Sequence, residues 1–342
     1  MFTVDSAPYM ADSLNFSMAE ITLRDSYTEW LPSVIIDCHA HAGLPEHVEF
    51  MEKKTYKHML STFPSLSLEQ SEDARSLFHP GKTIRSLRFA KTFRGINHRE
   101  VNRYLLEKSP TPDRVALFGL ADDIDYTNEM MRHPKVSALK MYYSNVEPTA
   151  DTIYKFFKPA ILEVAEGLGI PIVLHLPKSY VECRQELRQM FRDFPQLKIS
   201  IAHLGPSDFI IEGLEDTFRE SADYPHLNLD TSLNNSAEVV KLALDIFGSD
   251  RIMYGSDEPL NLIRGKIYQH TEKGGRLITS YPYHWVNLED HDRFKHLSVG
   301  LVHWHWLALE ALRTAIELYP FEMRERIKQR IFFENARKFF GF

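Results

Sequence analysis

The sequence predicts an α/β fold, a (β/α)8 TIM barrel that is distorted and carries long capping insertions. Three observations lead there. Short apolar runs alternate with longer amphipathic segments, the rhythm of βα units. Four of those runs end in a histidine or an aspartate. The length of 342 residues exceeds the usual domain, yet such barrels reach it as one unit, so 1–342 is read as a single domain.

The elements follow in order. Val34-Ile35-Ile36 is a buried-strand run that ends in Asp37-Cys38-His39-Ala40-His41. The second strand should lie between His41 and Pro110, and no run there identifies it. Arg114 to Ala121 follows Pro110 and Pro112, and Val136 to Tyr143 follows Pro134. A helix through Lys158–Leu168 stops at Gly169, before the strand Pro171 to Leu176. A helix around Glu182–Phe194 precedes Lys198 to Leu204. His226 to Thr231 comes next, and Arg251 to Gly255 follows a helix ending at Gly248. The amphipathic stretch Phe321–Phe340 closes the series. Two segments, 46–108 and 259–297, are longer than plain connections and are expected to be lids or binding loops.

Composition narrows the function. Hydrophobic residues make up 44% of the chain, enough for a large core. A net charge of −7 argues against nucleic acid, which needs a basic footprint. No apolar stretch approaches the roughly 18 residues that span a bilayer. The first thirty residues lack a basic start followed by an apolar run, so no secretory signal is read. Cys38 and Cys183 are too few for a disulfide framework and are read as packing residues. The expectation is a cytoplasmic protein that acts on a small molecule, with pairing through outer helices open to it.

The chemistry sits at the strand ends. Alternation along a strand puts His39 and His41 on one face, and Cys38 and Ala40 on the other. Two convergent imidazoles suit Zn, Fe or Mn. His175 ends PIVLHL, His203 ends KISIAHL on the face of Ile199 and Ile201, and Asp257 follows RIMYGS. In a barrel the C-terminal strand ends meet at one mouth. Any one of these residues alone reads as a core histidine or a capping aspartate; together they read as a site. Lys140, inside VSALKMYY with Ala138 and Tyr142 on its face, is costly unless paired or modified. Three readings stay open for it: a carboxylated lysine bridging two metals, a cation that orients a substrate carboxylate, or a buried ion-pair partner.

Between Arg75 and Arg103 eight basic residues face a single acid, Glu100. Arg85, Arg88 and Lys91, three apart, would share one helix face. That face is expected either to contact an anionic substrate or to be a solvated helix surface. In the later long segment Tyr268, His270, Tyr281, Tyr283, His284, Trp285 and His291 could close over a small polar ring, or pack on the barrel. His303-Trp304-His305 lies in an evidently helical stretch, where residues two apart point about 200° from each other and cannot chelate as a pair. No GxSxG elbow is present, which makes an acyl-transfer serine hydrolase the poorer fit.

The text IIDCHAH, ALKMYY, PIVLHL, FPQLKISIAHLG, LNLDTS, RIMYGSDEP and ENARKFFGF resembles the amidohydrolase superfamily, in its amidohydrolase-2 branch, which includes relatives of aminocarboxymuconate-semialdehyde decarboxylase. The resemblance spans about residues 33–260 and the C-terminal helix. It implies one divalent metal, Zn first with Mn or Fe as alternatives, and leaves a second metal open. It makes His39, His41, His175 and Asp257 metal-proximal, with Lys140 as a further candidate. His203 would be catalytic, a supporting histidine or a ligand of a second metal. The sequence departs from the family at Leu176-Pro177-Lys178-Ser179 after His175 and in the long stretch after Pro259. A bound metal would bring the pKa of water toward about 7. Asp257 could then accept its proton while His203 polarises the substrate. Hydrolysis of an amide, cyclic amide, ester or lactone is the favoured expectation. Decarboxylation of a small carboxylated ring or unsaturated acid is the alternative, with substrate contacts from Lys140, Tyr142, Arg85, Arg88 and Lys91. A non-catalytic binding barrel is a further alternative, and the presence of Asp257 weighs against it.

Overall fold

The computed structural model describes residues 14–49, 66–92, 95–270, 274–279 and 288–342. Its centre is an eight-stranded parallel sheet in which spatial order equals chain order. The strands are β1 Val34–Ala42, β2 Thr83–Ala90, β3 Arg114–Phe118, β4 Val136–Met141, β5 Ile172–Leu174, β6 Ile199–Ile201, β7 Leu227–Asp230 and β8 Ile252–Met253. Backbone bonds from β1 to the chain after β8 close the circle: Cys38 N to Tyr254 O at 3.0 Å, Asp257 N to His39 O at 2.8 Å, and His41 N to Glu258 O at 2.8 Å. The result is the (β/α)8 barrel that the sequence predicts.

The strand that the sequence left unplaced is β2, Thr83–Ala90, inside the basic stretch. Arg85, Arg88 and Lys91 therefore do not share a helix face. Arg85 and Arg88 are on a strand, and neighbours an odd number apart point to opposite faces of the sheet. Lys91 follows the strand and is buried. The misreading has a physical cause: Arg88 can lie in a wall of the barrel because Glu72, Asp113 and Glu258 neutralise it.

Helices cover the outside. They include α1 Met18–Trp30, α2 Leu68–Phe78, α3 His98–Lys108, α4 Ile124–Met130, the single turn α5 Ile153–Phe156, α6 Pro159–Leu168, α7 Arg184–Asp193, α8 Leu214–Ala222 and α9 Ala237–Phe247. Helix α6 ends where the sequence places its stop, with Gly169 in the left-handed region. Helix α1 begins in a full capping box formed by Ser17 and Glu20, and its Tyr27 stacks on Trp306.

After β8 the chain leaves the regular pattern. Arg264–His270 (β9), Gly274–Thr279 (β10) and Val302–His303 (β11) form a small antiparallel sheet in the order β10-β9-β11. Helix α10, Leu288–Phe294, precedes β11, and α11, Trp304–Glu317, follows it. Of the expected lid aromatics, Tyr281, Tyr283, His284 and Trp285 lie outside the described residues.

The pair His303 and His305 is only half helical, since His303 ends β11 and the helix begins at Trp304. Both rings therefore reach the same neighbour, Phe78, at 4.9 and 4.8 Å. His303 pairs with Glu20. His305 stacks edge-on against His79.

The chain ends in α12 Phe321–Gln329, a π turn at Arg330–Glu334, and α13 Asn335–Phe340. The π turn lets Ile331 O accept from Tyr254 N at 2.9 Å. Ala336 and Phe340 then plug the barrel interior beneath Ile36, Cys38, Leu87, Phe89, Ala116, Ala138, Val173 and Met253.

Candidate metal centre at the barrel mouth

A bulge in β1 sets up the site. Against β2 the register jumps between Asp37 and Ala40, three residues on β1 opposing two on β2. Simple alternation across Asp37–His41 is thereby broken. Cys38 joins Ile36 in the interior cluster, while Asp37 turns to Ser256, whose Oγ donates to it at 2.6 Å. Past the bulge His39 and His41 both reach the mouth, their ring centres 5.4 Å apart. Gly255 is needed here, because a Cβ on it would stand 2.7 Å from that of His39.

Each imidazole is oriented from behind. His39 Nδ1 binds Asp230 Oδ2 at 2.9 Å, and His41 Nδ1 donates to Ala90 O at 2.7 Å. Both Nε2 atoms are left facing Asp257 Oδ1, at 3.4 and 3.0 Å. Asp257 Oδ1 is buried and makes no hydrogen bond among the described residues. With both Nδ1 atoms engaged from behind, the neutral imidazoles turn their lone-pair Nε2 atoms to this oxygen, and three acceptors that converge in this way call for a cation. Zinc bonds to nitrogen and oxygen of ~2.0–2.1 Å would put neighbouring ligand atoms ~3.3 Å apart in a tetrahedron, which matches these contacts. Burial pulls the pKa of His39 from 6.5 to about 4, against the pull of Asp230 and Asp257, and so keeps it in the ligating form. Burial alone would raise Asp257, but His39, His41 and His203 hold it far below the usual carboxylate range. Among the described residues, His39, His41 and Asp257 form a group able to hold a metal ion.

His203 lies beside this group. Strand β6 ends at Ile201, and His203 sits in the left-handed region (φ 58°) within a tight turn, so it does not continue the strand face of Ile199 and Ile201. Its N–H donates to Asp230 Oδ1 at 3.0 Å, and its Nδ1 lies 2.9 Å from Ser232 O. The remaining nitrogen, Nε2, is 4.0 Å from Asp257 Oδ2. Asp257 also has positive φ, 55°. Such strain in non-glycine residues concentrates at working sites. His175 stands next to the trio rather than within it, its ring 5.0 Å from His203 and 4.9 Å from Tyr142. Its Nδ1 is bonded to Leu176 O, which leaves Nε2 as the spare donor.

Lys140 is buried on β4, and among the described residues its Nζ has no hydrogen-bond partner. The ammonium lies over the Phe89 ring at 5.2 Å and the Tyr142 ring at 5.9 Å. Burial draws its pKa down from 10.5 to about 8, and Asp230 and Asp257 keep it from falling further. Among the described residues, the buried ion-pair reading for Lys140 finds no contact partner. Of the basic trio on and after β2, Arg88 donates to Asp113 at 2.9 Å and Glu72 at 2.7 Å, on the face opposite Phe89.

Sequence reasoning missed Asp230, whose two oxygens hold His39 and the turn of His203. A signal existed: LNLDT is an apolar run ending in an acid, as RIMYGSD is.

The family model for amidohydrolases matches residues 36–342. No curated protein matches the chain significantly. Among solved structures, it is similar to a zinc-bound amidohydrolase from Burkholderia multivorans (12% identity, 90% of this chain and 99% of that one, TM-score 0.60). It is also similar to 2,6-dihydroxybenzoate decarboxylase from Rhizobium (14%, 91% and 99%, TM-score 0.53). A third is 5-carboxyvanillate decarboxylase from Sphingomonas paucimobilis (12%, 91% and 99%, TM-score 0.52). At these identities the structural likeness establishes the barrel fold, while the family match covers most of the chain and includes every residue of the centre. The chain is an enzyme of the amidohydrolase family, in its amidohydrolase-2 branch.

Proposed function

We propose that the chain is a metal-dependent decarboxylase of a small carboxylated ring or unsaturated acid. The observation that carries this reading is Lys140, a buried ammonium next to the metal group that has no hydrogen-bond partner among the described residues. A buried cation whose hydrogen-bonding capacity is unused in such a place is complementary to a carboxylate substrate. The two decarboxylases of the same fold support the reading, and they shift the balance away from the hydrolysis that the ligand order favours on sequence alone.

A divalent ion held by His39, His41 and Asp257, with His175 as a further donor, would supply positive charge against the substrate's oxygens; zinc suits these donors best. Lys140 pairs with the carboxylate, between the faces of Phe89 and Tyr142. His203 Nε2 donates a proton to the carbon that bears the carboxylate. The new C–H bond draws on electrons of the unsaturated system. The pair released as the C–C bond breaks replaces them, and CO2 leaves. His203 then recovers a proton from solvent.

Metal-loaded protein should release CO2 from at least one of 2,6-dihydroxybenzoate, 5-carboxyvanillate and related carboxylated phenols. Lys140→Met should keep the metal and lose roughly 10- to 100-fold in kcat/KM, the worth of one charge-assisted hydrogen bond. Turnover of lactones or amides, with no CO2 from any carboxylate, would return the function to hydrolysis.

A further inference from the structure

The inserted hairpin β9–β10 does more than decorate the barrel. Arg276 on β10 reaches the loop that follows β6, the loop that also carries His203. Its guanidinium stacks over the Phe209 ring at 4.8 Å, and its Nη1 lies 3.8 Å from Asp208 Oδ2. That separation is an ion pair but too long for a hydrogen bond, so Asp208 does not occupy the guanidinium fork. Stacking uses the flat face of an arginine and leaves its N–H edges free to take a carboxylate in two parallel bonds.

The loop is held in place. Asn234 Nδ2, on the loop after β7, donates to Ser207 O at 2.8 Å, and Ser207 Oγ donates to Gly205 O. Asp208, more than half exposed, lies within electrostatic reach of both Arg276 and His203. The guanidinium, about one-third exposed, therefore borders the loop that carries His203 at the C-terminal end of β6. Lys140, by contrast, lies on the floor, fully buried.

Two cationic positions at two depths imply a substrate with two anionic groups. We infer that Arg276 is a specificity-determining residue that binds a second carboxylate, or an equivalent anion, of a substrate whose first carboxylate is held near Lys140. Asp208 is the internal anion that holds the guanidinium in position and competes with that ligand. The inference rests on the carboxylate reading of Lys140 given above.

Binding of benzoate, phthalate, isophthalate and terephthalate to the metal-loaded protein, by calorimetry, tests it. At least one dicarboxylate should bind about tenfold or more tightly than benzoate, the value of a single charge-assisted contact. Arg276→Gln should bring that dicarboxylate down to the affinity of benzoate, Arg276→Lys should restore part of the gain, and Asp208→Asn should tighten dicarboxylate binding. If benzoate binds through Lys140 (lost in Lys140→Met) but no dicarboxylate gains, or the gain survives in Arg276→Gln, the role of Arg276 is overturned and the carboxylate reading stands. If benzoate does not bind, or binds equally well in Lys140→Met, the carboxylate reading fails and this inference falls with it.

Discussion

Asp230 does at the metal centre what its sequence position conceals. One oxygen fixes the His39 ring, and the other accepts from the backbone of His203 and from Ser232 N. Carboxylates behind a ligating histidine typically tune metal affinity by one to two orders of magnitude. Asp230→Asn should therefore weaken zinc binding roughly 10- to 100-fold in competition with a chelating dye, with the fold retained by circular dichroism. Unaltered affinity would mean that the His39 ring is held by packing alone. The residues that could be read directly, His39, His41, His203 and Asp257, lie at or just past strand ends, which a barrel brings together whatever lies between them. Asp230 ends β7 and was visible as a strand-end acid, but neither its role nor that of Arg276 could be assigned in the same way. Each acts through a partner distant in sequence, His39 for one and the Asp208 loop for the other, and no local pattern encodes such a pairing.

At the scale of elements, β2 is the instructive case. Its segment TIRSLRFA carries two arginines three apart, which imitates a helix face, and strand alternation is blurred because Arg88 is buried. What permits that burial is a set of partners supplied by three other parts of the chain: Glu72 on α2, Asp113 before β3, and Glu258 after β8. Ser71 completes the group, donating to Glu258 and accepting from Arg88. Removing one member of a buried ion network while leaving the others costs on the order of 3–5 kcal/mol. Arg88→Met should lower the urea midpoint accordingly, and the double variant Arg88→Met with Glu258→Gln should recover part of the loss. A single variant as stable as wild type would show the network to be replaceable by packing. The bulge in β1 was equally illegible. The sequence alone predicts His39 and His41 on one face, which is true of the result, but by a route in which alternation fails and an inserted residue restores it.

For the molecule as a whole, the (β/α)8 order was plain from sequence, because each apolar run needs only its own composition to be recognised. The insertion after β8 was visible merely as excess length. Its antiparallel strands pair with each other and with β11, a partner more than twenty residues further on. The barrel closes where β1 meets the chain after β8, and few backbone bonds hold that junction: those of Cys38, His41 and Asp257 described above. The donor atoms straddle the same junction, two from the first strand and one from beyond the last. A bound ion is therefore a clasp across the seam of the cylinder, and occupancy of the centre should be felt as mechanical closure as well as chemistry. Saturation at a hundredfold excess over Kd would add about 2.7 kcal/mol to stability. Hydrogen exchange should localise that gain, with chelation speeding exchange at Cys38, His41 and Asp257 well before the amides of β4 and β5. Uniform acceleration around the ring would mean that the cylinder opens nowhere in particular. A preferential effect at the clasp would make metal supply a control on whether the barrel stays shut, and would expose apo protein to pairing through the freed edges of its first and last strands.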